Sequence, residues 1–177
     1  MNIEYSWTEP QFVRLALYDF ELGPRSGRGK ATMWLVIFTL AGLLAINIAH
    51  RGFTYSVWDL VLIAAGLCWY ALRGALMIRM FRRAFKRSGM EGVNLKYNLE
   101  EEKITIQVDA KPEQTLEWNQ IKRVVRTQEG FLVYPGPMWL PAARIEEGKT
   151  TEELAAFLQR KVVDYRDKSQ HKLKLKD

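Results

Sequence analysis

Two long apolar segments near the N-terminus constrain this chain more than any other feature. Residues 31–49 contain no charged side chain, and residues 57–78 contain only Asp59 near one end and Arg73 near the other. Because a helix rises about 1.5 Å per residue, each segment can cross most or all of the roughly 30 Å hydrocarbon core of a bilayer. The pattern predicts an integral membrane protein with a two-helix transmembrane hairpin, whose spans cover about residues 31–50 and 57–78.

Basic residues predict the orientation of this hairpin. Three precede the first segment and five follow the second, whereas the connecting loop, residues 50–56, holds only Arg51. Cytoplasmic flanks of membrane spans carry an excess of Lys and Arg, so we expect a multi-pass protein with both termini in the cytoplasm. Asp59 then lies near the outer interface, where a carboxylate costs less than at mid-bilayer. The flanking bases are Arg25, Arg28 and Lys30 before the first segment, and Arg79, Arg82, Arg83, Lys86 and Arg87 after the second.

The second apolar segment passes directly into a basic amphipathic stretch. On a helical wheel its apolar and basic residues fall on opposite sides, and no acidic residue interrupts it. A plain stop-transfer flank explains the charges but not this segregation, so we expect the five bases to contact anionic lipids of the inner leaflet, at roughly 1 kcal/mol each. The apolar side comprises Leu76, Met77, Met80, Phe81, Ala84 and Phe85.

Alanines recur at four-residue spacing within both apolar segments. Small residues at this spacing let helix backbones approach closely in a bilayer. Two interpretations are open: these faces join the two spans of one chain, or they also support a homo-oligomer. The helix-packing candidates are Ala41, Ala45, Ala49, Ala71 and Ala75.

Net charge alone makes nucleic acid a conceivable partner, because the chain carries +6 and has a pI near 9.5. The distribution of the charge argues against it. Acidic residues outnumber basic ones between residues 91 and 165, and the positive charge lies beside the apolar segments and in the last dozen residues. We therefore predict anionic lipid, and no nucleic acid, as a partner.

The whole chain divides into four predicted parts. Residues 1–29 form a cytoplasmic N-terminal segment with a short amphipathic helix, capped by Thr8 with Gln11 as its capping-box partner. Residues 30–88 hold the hairpin and its basic extension. Residues 89–165 form a β domain, and residues 166–177 form a disordered basic tail.

Period-two alternation defines the strands of the β domain. It covers residues 95–99, 104–108, 116–118, 121–126 and 131–134, and a last edge strand spans 138–145. A final helix is capped by Thr150 with Glu153 completing a capping box. The expected class is an α+β membrane protein: a transmembrane hairpin plus a small antiparallel, pleckstrin-homology-like half-barrel closed by a C-terminal helix.

These residues resemble the YcxB-like family of bacterial membrane proteins. The resemblance is carried by residues 116–125 (LEWNQIKRVV) and 131–134 (FLVY), by Leu140-Pro141 and by the closing helix, and its best marker is the spacing of Trp118, Ile121 and Val124. It implies two N-terminal spans in the bacterial inner membrane and a cytoplasmic C-terminal domain. It implies no reaction, cofactor or substrate. Where the family usually has a basic residue after the proline, this chain has Ala142, with Arg144 two positions on.

Clustered chemistry is missing from the sequence. His50 and His171 fall on opposite sides of the predicted membrane, and the single cysteine, Cys68, lies inside the second span. We therefore predict no catalytic, cofactor-binding or metal-binding residues and no enzymatic activity. The leading hypothesis is a domain presented to a protein or lipid partner. The alternative is an accessory or regulatory subunit of a larger membrane complex.

Overall fold

The computed structural model describes residues 1–24, 26–51, 56–109 and 111–173, without the side chains of residues 28, 30 and 33. Four helices are present in these ranges: α1 (Glu9–Leu22), α2 (Ser26–His50), α3 (Val57–Ser88) and α4 (Thr151–Lys161). The strands are β1 (Asn2–Ser6), β2 (Asn94–Leu99), β3 (Lys103–Val108), β4 (Gln114–Glu117), β5 (Arg123–Arg126), β6 (Gly130–Tyr134), β7 (Met138–Pro141) and β8 (Tyr165–Asp167). The chain is thus of mixed α+β class.

The chain divides into two compact units. One, here named the helical unit, is Gly23–Met80 and contains α2 and most of α3. The other, the β unit, combines Met1–Leu22 with Phe81–Asp177. The N-terminal residues, Met1–Leu22, therefore belong to the β unit.

Two four-stranded sheets form the β unit. Their strand orders are β1-β2-β3-β4 and β7-β6-β5-β8. Every pair is antiparallel except β5 with β8, which run parallel and match Val124 to Tyr165. The sequence missed β1 because five residues offer too few alternations to stand out beside a longer helical pattern.

Alternating burial shows why these segments form strands. In β2, Leu95, Tyr97 and Leu99 are buried, and the residues between them are exposed or half-buried. β6 is buried at all five positions, as expected for a strand covered on both faces. Helix α4 adds Leu154 and Leu158, both fully buried, to the same core.

The caps of two helices differ in how well the sequence predicts them. At α4 the capping box is confirmed: Thr150 Oγ1 accepts from the Glu153 N–H at 3.1 Å, and Glu153 Oε2 accepts from the Thr150 N–H at 3.0 Å. At α1 the Thr8 carbonyl accepts from the Phe12 N–H, but Gln11 Oε1 is buried with no hydrogen-bond partner among the described residues. The reciprocal box predicted there is wrong.

Three predicted boundaries of strands and helices in the second half of the chain also need correction. Trp118 opens a 3₁₀ turn (Trp118–Gln120), and the last predicted strand stops at Pro141, where a second 3₁₀ turn (Ala142–Arg144) begins. Tyr165, the last residue of the predicted β domain, begins the strand β8. The predicted disordered tail is therefore ordered through β8, and residues 174–177 of it lie outside the described residues.

Ion pairs attach β8 and α4 to β5. Arg123 Nε donates to Asp164 Oδ2 at 2.6 Å, and Arg166 Nε donates to Asp164 Oδ1 at 2.9 Å. Arg126 pairs with Glu152 on α4 and lies 3.6 Å from Asp167. The hydrogen bonds from Arg166 and Arg123 lower the pKa of the Asp164 carboxyl below its usual 3.8.

The lowered pKa of Asp164 predicts that acid reduces the stability of the folded β unit. A carboxyl whose pKa is lower in the folded state contributes stability that is present above its unfolded value and is lost as the pH falls through the folded value. We expect the melting temperature of the wild type in detergent to fall more steeply below about pH 4 than that of Asp164→Asn. Glu147→Gln, which removes an exposed carboxylate, is the matched control. Parallel pH profiles for the wild type and Asp164→Asn would contradict this assignment.

Candidate membrane-contact site

Large apolar side chains are exposed along both helices of the helical unit. On α2, Leu35 and Phe38 are each 67% exposed, and on α3, Val57 is 74% and Leu67 is 66% exposed. In the described part of the β unit, Val163 alone is exposed in this way. Contiguous apolar patches beyond a few hundred Å² are rare on soluble monomers, so this surface needs a covering.

One helix in the described residues is long and apolar enough to cross a membrane. It is α3, Val57–Ser88, whose most apolar 18-residue window has a mean hydropathy of 1.8 and is 6% buried. In α2 the apolar stretch among the residues whose side chains are described is Trp34–His50. Structure therefore supports one candidate span by length and composition, and the second predicted span stays a prediction.

A polar contact joins α2 to α3 where the sequence predicts only apolar packing. Asp59 is 3% exposed, and its Oδ1 accepts from Asn47 Nδ2 at 2.6 Å while its Oδ2 accepts from the Ser56 N–H at 2.9 Å. Both carboxylate oxygens are thus hydrogen-bonded, as a buried charge requires. Sequence reasoning placed Asp59 at an interface and missed Asn47, which carries no signal apart from being polar within an apolar run.

The five predicted helix-packing alanines (Ala41, Ala45, Ala49, Ala71 and Ala75) are all exposed. Gly66 lies where α3 approaches α2: an added Cβ there would lie 3.8 Å from Leu40 Cδ1. Both interpretations of the alanine spacing, contact between the two spans of one chain and support of a homo-oligomer, stay predictions.

The five bases of α3 divide into two rows. Arg79, Arg83 and Arg87 recur every fourth residue, so they lie along one face of the helix, and all three are exposed with no ion-pair partner among the described residues. Arg82 and Lys86 lie along another face and point to α1. There Arg82 Nε is 3.4 Å from Glu9 Oε1, and Lys86 Nζ is 3.7 Å from Glu9 Oε2.

One apolar residue of the same basic extension is buried inside the β unit. Phe85 is fully buried, and its ring centroid lies 5.2 Å from that of Phe12 on α1. Ala84, by contrast, is exposed. Phe85 therefore packs inside the β unit, against α1.

An open groove of about 490 Å³ lies in the β unit beside α1. Arg14 and Glu129 form an ion pair of 2.8 Å across it, and burial together with the Glu129 charge raises the pKa of nearby Tyr18 to about 12. The two charges of the groove are therefore paired with each other. The groove is lined by Pro10, Gln11, Arg14, Gln128, Glu129, Trp139, Pro141, Ala142 and Ala143.

Comparisons with known proteins add no family. Neither a family model, nor a curated protein, nor a solved structure matches this chain. Within the described residues no group of three or more His, Cys, Asp and Glu side chains could hold a metal ion. The site is therefore defined by its own geometry: an exposed apolar pair of helices that ends in a row of exposed arginines.

The contact between Asn47 and Asp59 makes a prediction about the helical unit. Asn47→Leu removes one of the two donors to a buried carboxylate, which we expect to cost about 1–3 kcal/mol. The helical unit should then lose thermal stability in detergent, read as the melting temperature of the full chain. Thr39→Leu, an equally apolar change at an exposed position of α2, should leave that temperature unchanged. Equal melting of both variants and the wild type would refute a stabilising role for the contact.

Proposed function

We propose that this chain is a non-enzymatic integral protein of the bacterial inner membrane, related to the YcxB-like family. Its two-span hairpin anchors a cytoplasmic, pleckstrin-homology-like β unit that binds anionic lipid headgroups. The observation that carries the proposal is the exposed apolar surface of α2 and α3. Exposing apolar surface to water costs about 25 cal/mol per Å². Leaving both helices in water would therefore cost more free energy than the net stability of a typical domain, and placing them in the hydrocarbon of a bilayer removes this cost.

Charge supports the lipid part of this proposal. Arg79, Arg83 and Arg87 follow directly on the apolar part of α3, and no described carboxylate neutralises them. The inner leaflet carries anionic lipids, and each base near it contributes roughly 1 kcal/mol. Arg82 and Lys86 have a different role, because Glu9 engages both of them.

Topology supports the pleckstrin-homology-like part. Two four-stranded sheets and a C-terminal helix with a buried Leu154 and Leu158 are consistent with such a half-barrel. The parallel strand β8 is an addition to that plan. The charges in the groove beside α1, Arg14 and Glu129, are paired with each other. This pairing favours a binding surface over a catalytic site.

A second candidate, an accessory subunit of a larger membrane complex, is favoured by the exposed alanines of α2 and α3. Close packing on Ala41 and Ala45 would exclude bulky side chains. Under this alternative, Ala41→Leu with Ala45→Leu abolishes co-purification of a stoichiometric partner from native membranes while the β unit stays folded. Unchanged assembly of the double variant would argue against it.

Membrane topology gives the first test of the proposal. In a Cys68→Ser background, Thr54→Cys in the connecting loop should react with an impermeant thiol reagent in intact cells, because the loop is proposed to lie outside. Ala143→Cys, exposed on the β unit, should react only after the cells are opened. Protection of Thr54→Cys in intact cells, or labelling of Ala143→Cys there, would disprove the orientation.

Lipid retention gives the second test. Replacing Arg79, Arg83 and Arg87 together with Gln should lower the phosphatidylglycerol that co-purifies with the protein in mild detergent by at least about threefold. Replacing Lys111, Arg144 and Lys149 with Gln removes the same charge from exposed positions elsewhere on the β unit, and it should leave retention unchanged. An equal loss in both variants would show that net charge, and not this row, attracts the lipid.

A further inference from the structure

We propose that the open groove beside α1 binds a free α-amino acid with an apolar side chain. Every residue that lines this groove belongs to the β unit. This binding function is additional to the proposed one and needs no assumption about where a membrane lies. Three features of the groove carry it: an accessible pair of opposite charges, an unpartnered amide oxygen and an apolar wall.

The groove has the size and the apolar wall of a site for a small organic molecule. Its volume of about 490 Å³ falls within the range of roughly 300–1,000 Å³ that is usual for ligand sites. Among the apolar residues that line it, Pro10 and Ala143 are exposed and Ala142 is half-buried, whereas Trp139 and Pro141 are buried. The accessible members of this wall can cover a short apolar side chain of the ligand.

The two opposite charges of the groove are accessible to a ligand. Arg14 Nη1 donates to Glu129 Oε2 at 2.8 Å, and the two side chains are 48% and 37% exposed. An ion pair this exposed adds little to stability, so it can share its charges with a ligand at little cost. Adjacent opposite charges are complemented by a ligand that also carries opposite charges side by side. In an α-amino acid the ammonium and the carboxylate are attached to the same carbon, so the carboxylate can accept from Arg14 while the ammonium donates to Glu129.

Gln11 supplies a further acceptor for the ammonium. Its side-chain oxygen is buried and has no hydrogen-bond partner in the part of the chain that the structure describes. A buried polar atom without a partner is unfavourable, and a donor that reaches it removes this cost. The terminal torsion of a glutamine side chain is soft, so rotation of the amide can turn the oxygen toward the groove that Gln11 lines. An ammonium group has three N–H donors, which are enough for both Glu129 and Gln11.

The backbone of β7 argues against an extended polypeptide as the occupant. β7 is an edge strand of its sheet, and two of its residues line the groove. An added strand binds such an edge through unpaired N–H and C=O groups. Here the Trp139 carbonyl already accepts from the Tyr5 hydroxyl at 2.9 Å, and Pro141 has no N–H to donate. The groove therefore favours a small molecule held by side chains over a strand of another protein.

Equilibrium dialysis of radiolabelled L-leucine against the full chain in mild detergent tests this site. We expect saturable binding that approaches about one leucine per chain, and competition by glycine at least about fivefold weaker, because glycine leaves the apolar wall uncovered. Leucinamide lacks the carboxylate and 4-methylpentanoate lacks the ammonium. Each should compete at least about tenfold less well than leucine, because each loses one charge-assisted contact. Absence of saturable leucine binding would overturn the inference.

Two results of the competition series would assign the groove to another ligand. Competition by 4-methylpentanoate equal to that of leucine would show an apolar pocket that ignores the ammonium. Equal competition by N-acetylleucinamide, which carries no charge, would show a site for a segment of polypeptide. Either result would refute the assignment to a free amino acid. The series uses the wild-type protein alone, so it decides the question even where a variant fails to fold.

Matched variants test the individual residues. Arg14→Gln and Glu129→Gln should each weaken leucine binding by at least about tenfold, whereas Arg14→Lys, which keeps the positive charge, should retain most of it. Gln11→Met should weaken binding without lowering the melting temperature, because it removes an oxygen that has no partner among the described residues. Glu147→Gln with Lys149→Gln removes two exposed opposite charges elsewhere on the β unit and should leave binding unchanged. Leucine binding that survives both Arg14→Gln and Glu129→Gln would place the ligand elsewhere and refute this site.

Discussion

Antiparallel pairing between β1 and β2 is the interaction on which the rest of the structure depends. It matches Ile3 to Tyr97 and Tyr5 to Leu95, which are separated in sequence by the whole helical unit. Two further backbone hydrogen bonds of 3.0 Å, between Trp7 and residues 92 and 93, extend the pairing. Because β1 precedes and β2 follows the helical unit in the chain, this pairing brings the two segments that flank that unit into one sheet.

The pairing of β1 with β2 also determines which bases of α3 are neutralised. Pairing of β1 positions α1 after it, and Glu9 in the first turn of α1 then engages Arg82 and Lys86. Phe85 is buried beside Phe12 in the same contact, so one side of the extension is used for folding. The row of Arg79, Arg83 and Arg87 remains exposed. The five bases look equivalent in sequence, but the fold therefore gives them two different surroundings.

Particular residues show how far the sequence could be interpreted. Strong periodicity predicted β2, β3 and β6, and the Thr150 and Glu153 capping box marked the start of α4 correctly, since both signals are local. The sequence failed where the signal was short or depended on a distant partner. β1 and β8 are brief strands whose pairing partners lie far away in the chain. Gln11 has the right spacing for a capping box, but its side-chain oxygen has no hydrogen-bond partner among the described residues. The alanine spacing suggested packing, yet only the packed helices show that Gly66 faces Leu40.

The sequence by itself determined the apolar surface, the positions of the basic clusters and the mixed α+β class, because hydropathy, charge and short periodicity are properties of consecutive residues. Tertiary structure decided which polar group is buried, which base is neutralised and where the C-terminal segment lies. Those outcomes depend on contacts such as Asn47 with Asp59, Glu9 with Arg82 and His171 with Glu21. Each of these contacts joins residues that belong to different elements, and no local pattern encodes the distance between them.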